Sequence, residues 1–482
     1  MPGVEAHRDS DRLDPLIWKI GSVAVLGSFL SQLDATVVNV SLSSLAAAFH
    51  SSLSAIQWVT SGYLLALALI LPLSGWMVDR IGAKALYLWC FSAFTLSSAL
   101  CGCSWSANSL IGFRILQGMS GGLMAPMAQM MMARTAGKHM ASVLGFAAMP
   151  ILLAPLLGPM IAGAILQFAS WRWLFLINLP VGALALVLAV VFLPDDREQT
   201  KPRDLDLVGL ALLSPGLVLV LYGSDHISDR AGLAVLAGSV LLLVAFFKWA
   251  TKKKETAIID LQLFTGKVFS AAAATQFMAN GISFAGQMLI PVFLIRACGR
   301  SPSATGLLLA PLGLGMMCGY PFVGALTKRF GNRRVSAGGG LLALTSTLPF
   351  VYLASHGLVI ALLTCALFLR GVGLSAIGTA SISAAYSFVK REDLPMATTT
   401  LNIVMRIGGP TLTTICATFL GWRSASAHSP DAVQGAFTAA FILLCTFHGL
   451  LIAAAMRLPL SVEGGSKQTL VIVPAALESV SE

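Results

Sequence analysis

Apolar runs of membrane-crossing length follow one another along most of the chain, separated by short breaks rich in charge, glycine or proline. A helix needs roughly 20 apolar residues to cross a bilayer. On that measure six spans are predicted in the first part, over 16–47, 58–78, 85–105, 109–133, 141–167 and 173–193. The polar run PDDREQTKPRD follows, then spans over 207–222 and 232–250 and a lysine-rich loop, Lys252 to Lys254. Six more spans cover 268–295, 304–326, 335–354, 358–388, 397–421 and 433–456. The expected fold class is therefore all-α integral membrane, with fourteen helices. The expected domains are an N-terminal tail (1–15), a six-helix bundle (16–193), a linker with two inserted helices (194–266), a second six-helix bundle (267–457) and a polar tail (458–482) that lacks the apolar content to fold alone.

Composition sharpens this. The chain has 482 residues, 56% hydrophobic and 11% charged, against about 25% charged in a soluble protein. A soluble helical core cannot hide that much apolar surface. The net charge of +10 would suit a polyanion partner if it were clustered, but it follows topology. With the N-terminus placed in the cytoplasm, most Lys and Arg fall on the cytoplasmic side. Arg172, Arg230, Arg296, Arg300 and Arg423 fall outside, and Arg114, Arg370 and Arg406 lie within spans. That bias puts both termini inside and accounts for the basic balance without nucleic acid. The first span is too long for a cleaved signal peptide. The eight cysteines show no paired spacing and mostly sit within spans as small hydrophobes.

The chain also repeats itself. PLSGWMVDRIGAK from Pro72 and PFVGALTKRFGNR from Pro321 align with Pro72, Gly75, Arg80 and Gly82 on Pro321, Gly324, Arg329 and Gly331. Gly158 and Pro159 similarly fall on Gly409 and Pro410. Two duplicated six-span halves are a recurring transporter plan, with the substrate site between them near the midplane.

Asp34 is the acid that falls inside a hydrophobic span, and a carboxylate at membrane depth usually marks an ion or substrate path. Burial disfavours its charge, and a nearby cation favours it. Span one runs outward and span four inward, so helix rise puts Asp34 and Arg114 at depths that permit contact. A purely structural ion pair fits the same facts.

Five motifs in order carry a family resemblance. They are LDATVVNVSL at Leu33, GWMVDRIGAK at Gly75, RILQGMSGG at Arg114, PLLGPMIAG at Pro155 and WRWLFLINLPVG at Trp171. With the inserted helix pair, the chain resembles the major facilitator superfamily and, within it, the fourteen-helix drug:proton antiporters. The resemblance implies proton-coupling roles for Asp34 and Arg114. For Gly75, Asp79, Arg80, Gly82 and Lys84 it implies a latch that holds one alternating-access state. Lys328 replaces Asp79 in the second copy, so an acid-dependent latch is expected only in the first half. Pro155, Gly158, Pro159 and Gly163 match a helix motif associated with export. Proline kinks a helix and small residues such as Gly158 and Gly163 admit a close neighbour, so a structural kink without bearing on direction is the alternative reading.

Polar and adaptable residues in the spans are candidates for a substrate cavity: Gln57, Tyr63, Gln276, Asn280, Gln287 and Asn402, with Met124 and Met127 on one face of span four. Packing or lipid-facing methionines are the more usual reading of that spacing. Arg370, in the span corresponding to the fourth, and Arg406, one span on, could tether helices or meet substrate.

No phosphate-binding loop or HExxH metal motif is present, and no nucleophile–base constellation suggests an enzyme. No cofactor or metal is expected, and a proton gradient would supply the energy. The expected function is a proton-coupled exporter of amphipathic, toxic small molecules in the plasma membrane, a bacterial inner membrane. An uptake symporter or facilitator of the same fold is the alternative, and a non-transporting sensor a further one. Expected partners are the substrate and membrane lipid, with a periplasmic adaptor open and a monomer otherwise. One embedded acid weakly favours a cationic or neutral cargo, but the three embedded arginines could meet an anion.

Overall fold

The computed structural model describes residues 15–136, 139–196, 204–227, 229–425 and 430–460. The tail expected over 458–482 and most of the PDDREQTKPRD linker lie outside them. The described residues contain helices and no strands. Such a chain must satisfy every backbone N–H and C=O internally where lipid surrounds it, and helices do so.

The first half comprises α1 (Pro15–Val40), α2 (Leu42–Ala48), α3 (Leu53–Ile70), α4 (Leu73–Ile81), α5 (Ala83–Gly102), α6 (Ala107–Ala136), α7 (Met140–Phe168), α8 (Trp173–Leu176) and α9 (Asn178–Phe192). An inserted pair follows, α10 (Leu207–Asp225) and α11 (Arg230–Lys253). The second half is α12 (Lys267–Arg296), α13 (Pro302–His356), α14 (Ile360–Ser387), α15 (Leu394–Ala425) and α16 (Pro430–Ala455). Among the described residues, 11 helices are long and apolar enough to cross a membrane. One of them, Ala304–His356, makes two passes. The helices α6 and α7, with 30 and 29 residues, also have the length. With these the fold has the fourteen expected passes.

Three boundaries differ from the hydropathy reading, each for a local reason. The first span does not run to residue 47. It stops at Val40, where Ser41 turns back to donate to the Val38 carbonyl at 2.9 Å. The second span breaks into α3 and α4 at Pro72, which has no N–H to continue the ladder. The loop expected between 326 and 335 is absent, because helix continues through α13 and breaks only at Gly331, with φ 80° and ψ 161°.

That break confirms the repeat. Gly82, its partner, has φ 84° and ψ 157°, so both copies use a glycine to turn sharply where a Cβ is disfavoured.

Call the side where α1 begins and α16 ends the terminal side. Apolar packing shared between the halves lies there: Met127, Met131 and Ala147 cluster with Ala271, Tyr386 and Leu401. Towards the far side, the buried clusters belong to one half each. Hydrogen bonds between the halves follow the same rule. Ser74 and Thr399 hydroxyls lie 2.7 Å apart, and Gln129 Oε1 accepts from Asn402 at 2.9 Å and from the Tyr386 hydroxyl at 3.2 Å. The halves are thus closed together at the terminal side and part towards the far side. The inserted pair packs along this seam, with Leu213, Leu217 and Phe246 against Leu71 of the first half and Ile403 of the second.

Candidate functional site

Asp34 and Arg114 meet. Arg114 Nη1 donates to Asp34 Oδ2 at 2.5 Å, and both side chains are fully buried. Two amides complete the carboxylate's shell: Gln117 Nε2 at 3.1 Å and Asn178 Nδ2 at 2.7 Å both donate to Oδ1. Both amides also reach Ser98 Oγ, at 2.5 and 3.3 Å. Asp34 of α1 thus joins α6 and α9 directly, and the two amides bring in α5 through Ser98. Arg114 and Gln117 share a face of α6 by their three-residue spacing, and Arg114 Nη1 also donates to Gln117 Oε1 at 2.6 Å.

The arginine is held from α3 as well. Its Nε donates to the Val59 carbonyl at 3.2 Å, and its guanidinium lies 4.2 Å from the centre of the Tyr63 ring, within cation–π range. Tyr63 in turn has its hydroxyl 2.8 Å from Ser31 Oγ on α1. Arg114 Nη2 is buried and has no hydrogen-bond partner among the described residues. Sequence reasoning found Asp34, Arg114 and Tyr63 but missed Gln117, Asn178 and Ser98. Gln117 and Asn178 lie inside two of the quoted motifs, and that was the available signal.

The motif helix α7 presses on this site from the side. A Cβ at Gly158 would collide with Thr36, two residues beyond Asp34. Thr36 Oγ1 itself donates to the Ala154 carbonyl of α7 at 3.3 Å. Gly163 does not admit a neighbour as expected: nothing lies within 4 Å of its Cβ position. Pro159 is exposed, and the side chain of Pro155 lies outside the described residues.

On the terminal side, α4 crosses to the second half. A Cβ at Gly75 would lie 2.9 Å from Thr399 Oγ1 and 3.1 Å from the Pro395 carbonyl, so glycine permits the contact. Asp79 is buried. Arg80 does not reach across to the other half; it is exposed and folds 5.4 Å over Trp76 of its own helix. After Gly82, the Ala83 and Lys84 N–H groups donate to Asp196 at 2.8 and 3.2 Å, and Arg134 pairs with the same carboxylate at 3.1 Å. Asp196, in the polar linker, is a residue that sequence reasoning missed.

The remaining candidates separate. Met124 and Met127 are buried in the shared terminal-side core. Gln57 and Gln287 are exposed. Gln276 ties α12 to α14, donating to the Gly378 carbonyl at 2.7 Å and Ser381 Oγ at 2.8 Å, and Asn280 donates back to the Gln276 carbonyl at 3.2 Å. Asn402 joins the halves through Gln129. Arg370 is buried and tethered: it donates to Thr347 Oγ1 at 2.5 Å and to the Ile282 carbonyl at 3.2 Å, with His448 Nε2 at 3.5 Å. Arg406 is half-buried and, among the described residues, makes no hydrogen bond or ion pair.

Duplicated six-helix halves that meet on one membrane side, one of them holding a buried charged centre, are the plan of a membrane transporter. The family model of the Major Facilitator Superfamily matches residues 24–409, with a second match over 272–470. A Multidrug resistance protein B homolog of Mycobacterium tuberculosis is 32% identical over 421 residues, 86% of this chain and 78% of the relative. A putative multidrug resistance protein MdtD of Yersinia pestis is 28% identical, over 92% of this chain and 96% of its own. Among solved structures, a bacterial homologue of the iron transporter ferroportin in its outward-facing state superposes with TM-score 0.63 at 11% identity, covering 90% of this chain and 99% of that one. The chain belongs to the Major Facilitator Superfamily and is a multi-pass membrane transporter of that family.

Proposed function

We propose that this transporter is a proton-coupled antiporter of the fourteen-helix drug:proton group, exporting amphipathic small molecules across a bacterial inner membrane. The observation that carries the reading is the Asp34–Arg114 pair, saturated by Gln117 and Asn178. While Asp34 is ionised the pair is neutral and binds α1, α5, α6 and α9 into one block. A proton on Asp34 removes the charge that holds Arg114 and leaves a net positive site among apolar helices. An unpaired buried charge is costly, so protonation favours a rearrangement that gives Arg114 water or a new partner. That is the coupling step: proton occupancy biases which side of the bundle opens.

Orientation and direction rest on other grounds. The Lys and Arg bias supports cytoplasmic termini, which makes the closed terminal side the cytoplasmic one and this conformation outward-facing. The contact of Gly158 with Thr36 gives the export-associated helix a direct route to Asp34. The names of the relatives from M. tuberculosis and Y. pestis support drug export. The proton gradient is the energy source, and the protein acts on its substrate within lipid as a monomer, with or without an adaptor.

Transport in everted membrane vesicles tests this. Dye accumulation should require an inside-acid gradient and vanish when the gradient is collapsed. Gradient-driven movement in the opposite direction would establish uptake instead.

A further inference from the structure

The charges that face the seam between the halves are not balanced. Asp34 is shut away: it is 1% exposed and both its oxygens are occupied by Arg114, Gln117 and Asn178. It offers no face to a cationic cargo. Arg406 is its opposite. It lies on α15, twelve residues from the helix start, or about 18 Å at 1.5 Å per residue, which is mid-membrane. It is half-buried, and among the described residues it makes no hydrogen bond and no ion pair. One turn towards the terminal side, Asn402 closes the seam against Gln129 at 2.9 Å. Arg406 therefore stands just above the closed contact, where the halves begin to part. Across the seam Tyr63 is fully buried, its ring stacked at 4.2 Å on Arg114.

An arginine at membrane depth is expensive unless something pairs with it. Arg370, the other second-half arginine in a span, meets this cost with Thr347, Ile282 and His448. Arg406 has nothing equivalent. A guanidinium presents donors in a fork that suits carboxylate, sulfonate and phosphate.

We propose that Arg406 is the anion-recognition residue of the cargo site, so that the exported molecules are amphipathic organic anions. The anionic group binds the guanidinium of Arg406, and the apolar body lies in the seam between the halves. This deepens the efflux reading and rests on it. It also reverses the weak sequence-based preference for a cationic cargo, because the acid behind that preference is fully occupied.

The test uses the full-length protein in phosphatidylcholine vesicles, where no anionic lipid competes, with an imposed pH gradient. The probes are naphthalene-1-sulfonate and 1-naphthylmethyltrimethylammonium, which share a ring and carry opposite fixed charges. The native protein should transport the sulfonate in preference. Arg406→Gln should lower sulfonate transport by about tenfold or more, the worth of a charge-assisted hydrogen bond. It should leave the cation unchanged or improved, and Arg406→Lys should recover part of the loss. An unchanged melting temperature and elution profile would show that the variant is folded. Equal effects of Arg406→Gln on both probes, or native transport of the cation alone, would overturn the anion assignment and leave efflux standing. Gradient-driven movement of neither probe would overturn both.

Discussion

The two halves carry the same arginine at corresponding places and surround it differently. Arg114 faces a carboxylate, with amides from α6 and α9 filling that acid's remaining positions. Arg370 meets a hydroxyl, a carbonyl and an imidazole, and the place facing it on α12 is a glycine: a Cβ at Gly286 would lie 2.5 Å from Arg370 Nη2. His448 Nδ1 lies 2.8 Å from the Leu444 carbonyl. That contact requires an N–H on Nδ1, so Nε2 is left as the acceptor towards Arg370. The first arginine sits in a network whose charge changes with one proton. The second sits in a network of neutral acceptors. Duplication supplied one scaffold, and a single acid separates a half whose buried arginine faces a carboxylate from a half whose buried arginine meets only neutral partners.

The turns after Pro72 and Pro321 repeat the lesson. Both glycines have the same left-handed backbone. In the first half the following N–H groups donate to the Asp196 side chain, which also binds Arg134. In the second half the Arg333 N–H donates to the Pro459 carbonyl at 3.2 Å and its Nε to the Leu458 carbonyl at 2.6 Å. A side-chain carboxylate does in one copy what backbone carbonyls do in the other.

Substitutions can break this comparison, beginning with the arginines. Arg114→Gln leaves Asp34 buried without its cation, a change that costs about 3–5 kcal/mol in a buried pair. Thermal unfolding in detergent should show the largest drop of the series, and gradient-driven transport should be lost. Arg370→Gln gives up charge-assisted hydrogen bonds of about 1.5–3 kcal/mol each but also removes a buried charge that no acid balances. Its melting temperature should fall less, and transport should slow while still following the pH gradient. Equal behaviour of the two variants would erase the distinction between the halves.

Smaller effects separate the turns. Alanine at either glycine meets about 1–3 kcal/mol of strain, because positive φ with extended ψ is a region nearly confined to glycine. Gly331→Ala should cost more than Gly82→Ala, because its Cβ meets the Leu460 backbone carbonyl while that of Gly82 meets the Asp196 side chain, which can move. The reverse order of melting temperatures would contradict the assignment. Smallest of all, Asp196→Ala should cost about 0.5–2 kcal/mol, the range for a lost helix cap, and raise hydrogen exchange at Ala83 and Lys84.

Much of this was legible in the residues. A lone acid in an apolar run announces itself by its cost, and helix rise alone placed Arg114 at a compatible depth. The repeat located Gly82 and Gly331, two of the four positive-φ glycines among the described residues. Gln117, Asn178 and Ser98 gave no comparable signal, since a neutral amide or hydroxyl is tolerated in many helix interfaces and its partner depends on how four helices pack. Asp196 was hidden for the opposite reason: in a charged linker, one more carboxylate looks solvated. Met124 and Met127 illustrate a third limit, because helical spacing puts them on one face without saying whether that face meets cargo or core.

The central claim is that Asp34 carries the coupled proton. Asp34→Asn preserves the side-chain shape and one acceptor for Gln117 and Asn178, and removes the titrating group. In reconstituted vesicles the variant should remain folded and still exchange labelled for unlabelled substrate at equal pH, yet fail to accumulate it when a pH gradient is imposed. Accumulation at the native level in that variant would contradict the account.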